Sequence, residues 1–556
     1  MLCVKVLAYD LRNGLFDHKD VFMFSPTRYA FISVWDKTNS VELAAALQER
    51  FGFGLIATGG SRQVLEAGGL QVVDLSTVTG FDEILEGRVK SLHPTIFAGI
   101  LAKRDKPSHM KDVTFPIDVV VVNLYPFELG LAHVETSENP QAMVELIDIG
   151  GSSLLRAAAK NHADVAVLSS PDQYEAVLAD LVAHQGQTSL GLRQRLALAA
   201  FQRSSSYDNA ISGWMSSQLL KDALGDEAVE ALEFPSTLNL TLHHVQSMRY
   251  GENPHQPAAL FAIRPDELDY HVLQGKPLSY NNILDMEAAW NLICEFDDEP
   301  AAAIIKHTQP CGVAVAATLE QAYKRALDGD PLSAFGGVVA LNQPVNEATA
   351  KAMVDIFTEV IIAPGFNEQA LDVLKAKKNI RLVTRPWVTS NASQHPAERR
   401  DGLYLKQVSP NLILVQEQHF AKAEGLLARE LKVISKKKPT EDQLKDAAFA
   451  WKVVKHLKSN AIVIAKDGQV VGLSGGQTSR VGAVEQALAQ ACDHAHGAVL
   501  ASDGFFPAVD NIHAAAQNRV ACIIQPAGSI KDKDVIATTN QYEMAMLATG
   551  VREFRH

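Results

Sequence analysis

The second half of the 556-residue chain carries one pattern twice, and that duplication restricts its possible folds more than any single motif does. "AAIIKHTQPCGVAVAATLEQAYKRAL" and "NAIVIAKDGQVVGLSGGQTSRVGAVEQALAQA" each read strand, turn, strand, turn, helix. The continuations "SAFGGVVALNQPVNEATAKAMVDIFTEVIIAP" and "GAVLASDGFFPAVDNIHAAAQNRVACIIQPAG" each read strand, loop, helix, strand. One α/β unit repeated about 155 residues apart is the simplest account, since internal repeats copy supersecondary units. The copies are expected over roughly 245–386 and 445–556 of a domain spanning 235–556, joined by a polar stretch from about 387 to 445 that includes "SKKKPTED".

The first half alternates instead. "YAFISV", "FGLIAT", "DVVVVNLY" and "ADVAVLSS" read as strands, with the helical patterns "SVELAAALQERF", "SRQVLEAGG" and "DQYEAVLADLVAHQ" among them. Such alternation predicts a parallel sheet with crossover helices, and ligands of such sheets bind beyond the carboxyl ends of the strands. "SVWDKT", "TGGS" and "NLYPF" all fall there. Periodicity fades over 221–244, so this domain is expected over 26–222. Residues 1–25 lack a basic segment followed by a long apolar run and read as a short extension, with Met23 an alternative start.

Bulk properties narrow the partners. A formal charge of −13 disfavours nonspecific attraction to nucleic acid or an anionic membrane surface, while leaving room for a local basic pocket. Apolar runs such as 119–122 and 301–305 are too short to cross a bilayer. Cys3, Cys294, Cys311, Cys492 and Cys522 are scattered without a C-x-x-C pair, which suits reduced thiols in a cytoplasm.

Several motifs carry chemistry. In "LIATGGS", Thr58, Gly59, Gly60 and Ser61 follow a strand and open a helix, where free N–H groups suit a phosphate; the same pattern also fits a tight turn that needs glycine for backbone reasons. Lys37 projects toward the same edge. "GRVKSLHP" sets Arg88, Lys90 and His93 among small residues, either an anion site or an exposed basic loop. "VNLYPF" ends a strand on Asn123 and Tyr125, a hydrogen-bond donor or a plug for the core edge. "IDIGGSSLLRAAAKNH" places Asp148 before a helix that carries Lys160. "MRYGENPHQ" gathers Arg249, Tyr250, Asn253, His255 and Gln256 in a loop, a ligand site or a well-capped turn.

The stretch "IIKHTQPCG" poses the sharpest question. Zinc-dependent nucleobase deaminases pair H-x-E with a downstream P-C-x-x-C, but here Ala314 stands at the second cysteine and the H-x-E at His133 to Glu135 lies far upstream. No catalytic metal is therefore expected. Lys306 and His307 end an apolar strand, and the adjacent ammonium favours a neutral imidazole that accepts protons; a lone histidine there would more often be structural. Asn460 reads as standing at the matching place in the second copy, where its amide suits a tetrahedral oxyanion.

With "GRVKSLHP", "NLYPF", "IDIGGSSLLRAAAKNH", "RYGENPHQ", "KHTQPCG", "SNAIVIAKDGQVVGLSGGQTSR" and "SDGFFPAVDNI" in order, the chain from about residue 29 to "VREFRH" resembles the bifunctional purine-biosynthesis family that combines AICAR transformylase with IMP cyclohydrolase. The resemblance implies an α/β protein: an N-terminal methylglyoxal-synthase-like parallel sheet that closes the purine ring, and a C-terminal domain of two tandem cytidine-deaminase-like units that transfers a formyl group without zinc. It implies that Lys306 and His307 form the transformylase pair, with Asn460 steadying the tetrahedral state. Arg249, Tyr250 and Arg552 are similar to nucleotide-holding residues, and Gly336, Arg480, Phe505 and Asp510 match positions near folate and base. Lys90, Tyr125, Asp148 and Lys160 resemble the proton-handling set of the cyclohydrolase. Ser33, Lys37, Thr58, Gly59, Gly60, Ser61, Arg88, Ser91, Asn123 and Gly150 would bind its nucleotide.

The same resemblance implies 10-formyltetrahydrofolate as co-substrate, AICAR, FAICAR and IMP as ligands, a structural monovalent cation as an option, and a cytoplasmic homodimer with shared transformylase sites. The family usually reads Ser-Val-Ser-Asp-Lys-Thr-Gly where this chain has "SVWDKTN", so Trp35 and Asn39 depart from it. Two rival readings make different demands. A zinc deaminase requires about one bound zinc per chain, and a regulatory scaffold requires nucleotide binding without turnover.

Overall fold

The computed structural model describes residues 26–132, 139–224, 237–263, 268–297, 299–387, 403–417 and 431–556. The 1–25 extension, the His133 to Glu135 motif and residues 388–402 and 418–430 of the 387–445 connection lie outside the described residues. Two compact units divide between Thr241 and Leu242, within the stretch where sequence periodicity fades.

The described residues of the first unit form five strands, β1 (Tyr29–Val34), β2 (Gly54–Ala57), β3 (Val72–Asp74), β4 (Ile117–Asn123) and β5 (Ala166–Leu168), in the order β3-β2-β1-β4-β5. All four pairings are parallel. Ala30 to Ile32 and Val119 to Val122 are buried, as a sheet covered on both faces demands. Strand order reverses between β1 and β4, which opens a crevice beyond their carboxyl ends, at Val34 and Asn123. Asn39, just past β1, has φ of 54°. A left-handed residue explains why glycine suits this position and why asparagine, which tolerates that region better than most residues, can replace it.

Among the described residues, the second unit is built around twelve strands: β8 (His271–Gln274), β9 (Ala301–Lys306), β10 (Gln309–Val315), β11 (Val338–Leu341), β12 (Val360–Ala363), β13 (Arg381–Thr384), β16 (Lys432–Val433), β17 (Ile462–Lys466), β18 (Gln469–Ser474), β19 (Val499–Ser502), β20 (Cys522–Gln525) and β21 (Ala545–Ala548). Their order is β16-β21-β20-β19-β17-β18-β10-β9-β11-β12-β13-β8. Two short ribbons stand outside this sheet, β6 (His243–Met248) with β7 (Ala258–Ala262), and β14 (Leu403–Ser409) with β15 (Leu412–Glu417).

Each half of the large sheet repeats one plan. β9 and β10 form a hairpin, β11 runs antiparallel to β9, and β12 and β13 continue parallel to β11. β17 to β21 do the same. Hairpin register equates Lys306 with Lys466 and therefore His307 with Asp467. The copies extend further upstream than their strands reveal: helices Tyr280–Ile293 and Glu441–Val454 both begin with a capping box and both carry Asp-x4-Trp, at Asp285/Trp290 and Asp446/Trp451. The end of the stretch expected to be a connection thus belongs to the second copy. These helices share one continuous core on one face of the sheet, while each copy has its own core on the other face.

This register corrects the expected equivalence of Asn460. It precedes β17 and corresponds to Pro300, at the opposite end of the strand from the Lys306 position. The central strands β10 and β18 pair antiparallel, Ala314 opposite Gln469, so the start of β17 lies on the same sheet edge as the end of β9. Asn460 lies at the same end of the sheet as His307 through inversion between the copies, three strands away, and not through equivalence.

Candidate functional sites

In the first unit the crevice is assembled from loop ends. The Asn123 side chain pins the loop after β1, accepting the Asp36 N–H at 2.9 Å and donating to the Asp36 carbonyl at 2.9 Å. Ser33 and Thr58 hydroxyls join β1 to β2 at 3.0 Å. Ser61 is buried, and its hydroxyl accepts the Val34 N–H at 2.9 Å while donating to the Val34 carbonyl at 3.2 Å, so it ties the helix to β1. Gly59 and Gly60 open helix Gly59–Ala67 without left-handed φ, and a Cβ on either would meet nothing within 4 Å. Neither a left-handed backbone nor a close approach requires glycine here, and the helix N-terminus faces open space, an arrangement whose N–H groups suit an anion.

Cations and a carboxylate meet at the same edge. The Lys37 ammonium donates to the Val34 carbonyl; burial lowers its pKa and the Lys90 charge lowers it further. Asp148 caps helix Ile149–Lys160, accepting the Gly151 N–H at 2.6 Å. Burial raises the Asp148 pKa, against the opposing pull of the Gly151 N–H, the Lys90 charge and the Tyr125 N–H. Ser91 is buried beside Gly150, where a Cβ would come 2.9 Å from the Ser91 hydroxyl and oblige it to move. Arg88 is exposed and paired with Glu145, and Trp35 stands half exposed on the lip.

In the second unit, Lys306 to Gln309 form a two-residue hairpin turn with both central residues left-handed, His307 at φ 55° and Thr308 at φ 61°. The Lys306 ammonium donates to the Phe335 carbonyl at 2.9 Å. Lys306, His307, Gln309, Pro310, Cys311 and Asp330 line a cavity of about 490 Å³. Burial pushes the Cys311 thiol up to about 12, which keeps it unreactive. Gln309 accepts the Lys458 N–H at 3.2 Å, linking the turn to the start of the second copy. There the Asn460 backbone and side-chain N–H groups both donate to the Gln477 carbonyl, at 3.1 and 2.8 Å. Among the described residues, no three His, Cys, Asp or Glu side chains are arranged to hold a metal ion.

A model of the AICARFT/IMPCHase bienzyme matches residues 158–490 and a model of the MGS-like domain matches residues 39–153. The chain belongs to the AICARFT/IMPCHase bienzyme family. It is similar to the "Bifunctional purine biosynthesis protein PurH" of Cereibacter sphaeroides, 45% identical over 550 residues that cover 96% of this chain and 99% of that one. The proteins of the same name from Cyanothece sp. and Rippkaea orientalis are 45% and 44% identical, covering 95% of this chain and 99% and 100% of theirs.

In this AICARFT/IMPCHase bienzyme the sequence-level site residues sort by what their side chains are free to do. Ser33, Lys37, Thr58, Gly59, Gly60, Lys90, Asn123, Tyr125 and Asp148 gather at the first unit's crevice, with Ser91 and Gly150 beside them. Lys160 does not join them: it ends the twelve-residue helix that Asp148 begins, and at 1.5 Å per residue it lies about 18 Å away. Arg480 is buried, its Nη1 paired with fully buried Asp503 and donating to the Ser502 hydroxyl at 3.0 Å. Phe505, Asp510 and Arg552 are exposed, Arg552 lying over the Phe554 ring at 4.9 Å. Gly336 is left-handed at φ 75°. Arg249 and Tyr250 lie between β6 and β7, outside the large sheet. Sequence reasoning missed Asp285, which binds the turn carrying His307; the repeated Asp-x4-Trp was the signal for it.

Proposed function

We propose that the two units divide the two reactions of this bifunctional purine-biosynthesis enzyme: formyl transfer from 10-formyltetrahydrofolate to AICAR in the second unit, and dehydrative closure of FAICAR to IMP in the first. The observation that carries the assignment is the pairing of Lys306 and His307 on one strained turn at a cavity large enough for a small ligand.

In formyl transfer the 5-amino nitrogen of AICAR attacks the formyl carbon and a tetrahedral centre forms. His307 takes the proton released from nitrogen, the carbon–N10 bond breaks, and N10 of the folate receives a proton. Lys306 supplies positive charge beside the oxyanion, and the Asn460 amide stands on the same edge. In closure the carboxamide nitrogen attacks the formyl carbon and water departs. Asp148, Lys90 and Tyr125 move the protons, while the helix opened by Gly59 and Gly60 holds the phosphate. Because closure is intramolecular, holding FAICAR in a reactive conformation supplies much of the rate.

The ribbon of β14 and β15 supports a homodimer. Tyr404, Val408, Leu412, Ile413 and Leu414 are exposed on it, and an isolated two-stranded ribbon is at best marginally stable in water. Sedimentation of the purified protein reads the oligomeric state directly. No described helix is long and apolar enough to cross a membrane. Paired variants test the division of labour. His307→Ala should abolish FAICAR formation from AICAR and spare closure of added FAICAR, whereas Asp148→Asn should do the reverse; loss of both activities in either variant contradicts the assignment.

A further inference from the structure

The two hairpins related by the repeat differ in sequence at the place where the backbone is most demanding. In the second copy the left-handed central residues are Asp467 and Gly468, at φ 53° and 69°, the pair a two-residue hairpin favours. In the first copy the same positions hold His307 and Thr308, at φ 55° and 61°. A β-branched residue is a poor occupant of the left-handed region, so the first turn is strained where the second is comfortable. Such strain persists only where surrounding structure over-determines it.

One helix supplies that determination in each copy. Asp446 accepts the Asp467 N–H at 2.9 Å and the Gly468 N–H at 2.8 Å. Asp285, at the equivalent place, accepts the Thr308 N–H at 2.7 Å and the His307 N–H as well. The clamp is the same, but what it holds is not. Asp446 braces a turn that its own residues favour, and Asp285 holds one that its residues resist.

We infer that Asp285 is a positioning residue for formyl transfer: its carboxylate locks the His307–Thr308 turn in the left-handed conformation that presents the imidazole to the cavity. The inference rests on the reading of His307 as the proton acceptor. Without the clamp the turn relaxes and the imidazole leaves its place, so turnover falls while the rest of the binding surface remains.

The test compares Asp285→Ala, Asp285→Asn, Asp285→Ala/Thr308→Gly and Asp446→Ala, each assayed for formyl transfer with AICAR and 10-formyltetrahydrofolate and for closure of added FAICAR. Asp285→Ala should lower the formyl-transfer kcat by about tenfold to a hundredfold, with KM for AICAR within about twofold and closure unchanged. Thr308→Gly in that background should restore most of kcat, because glycine adopts the turn unaided; a purely stabilising role for Asp285 gives no such rescue. Asp446→Ala should stay within about twofold of wild type. Wild-type kcat in Asp285→Ala, or no recovery in the double variant, overturns the inference. Should Asp285→Ala fail to fold, Asp285→Asn carries the test, since its amide keeps one acceptor oxygen but turns an NH2 donor toward the other backbone N–H of the turn, and wild-type kcat there is equally fatal. Formyl transfer surviving in His307→Ala would instead overturn the reading of His307.

Discussion

Glu295 offers a quantitative test of how the two copies are held together. It follows helix Tyr280–Ile293 and is buried, 2.6 Å from the Lys455 ammonium and 3.4 Å from His456 Nε2, both just past helix Glu441–Val454. Burial alone would raise its pKa, but the His456 hydrogen bond and the Lys455 charge more than reverse this and leave it at about 2, against an ordinary 4.5. Burial also disfavours protonation of His456, so near neutrality Lys455 is the charged partner. The fall from 4.5 to about 2 corresponds to about 3 kcal/mol of stability. Because the folded value is the lower one, this contribution is complete above about pH 4.5 and is lost as pH falls toward about 2. Glu295→Gln removes it and leaves the Lys455 ammonium without that carboxylate. Urea unfolding followed through Trp290, Trp387 and Trp451, in a Trp35→Phe/Trp214→Phe background, should show the variant less stable by about 3 kcal/mol at pH 7 and by the same amount at pH 5, the gap narrowing only below about pH 4.5. A gap that widens from pH 7 to pH 5 would mean that His456 carries the charge, because a protonated imidazole gains Glu295 as pH falls, and no gap at pH 7 would refute the reasoning altogether.

Two further substitutions probe the first unit. Gly60→Ala adds a methyl group in open space on a helical backbone, so stability should hold or rise by about 0.5–1 kcal/mol, while KM for FAICAR climbs severalfold as the methyl intrudes on the approaching phosphate; an unchanged KM would mean the anion binds elsewhere. Asn39→Ala should cost about 1 kcal/mol in urea unfolding and Asn39→Gly nothing, because only the left-handed φ is at stake; equal losses in the two would point to a side-chain role instead.

Local patterns carried much of the architecture. The parallel strands of the first unit and the duplicated hairpins of the second follow from apolar periodicity, and "KHTQ" lies on a turn because the repeat places it between two strands. What sequence could not supply was long-range pairing. Sequence alone sets Asn460 opposite the wrong position, since only the antiparallel β10–β18 contact shows that the two copies are inverted. Lys160 looked like a neighbour of Asp148 because nearness in sequence hides a helix length. Nor does sequence show that the Ser61 hydroxyl bonds the β1 backbone or that Arg480 pairs with a buried carboxylate.

The central claim, two chemically separate centres in one chain, is tested most directly by mixing purified His307→Ala with Asp148→Asn and supplying AICAR with 10-formyltetrahydrofolate. Each protein alone should form no IMP, and the mixture should form it after a lag, as FAICAR released by Asp148→Asn reaches the intact closing site of His307→Ala. IMP from either variant alone, or none from the mixture while each retains its surviving half-reaction, would contradict the account.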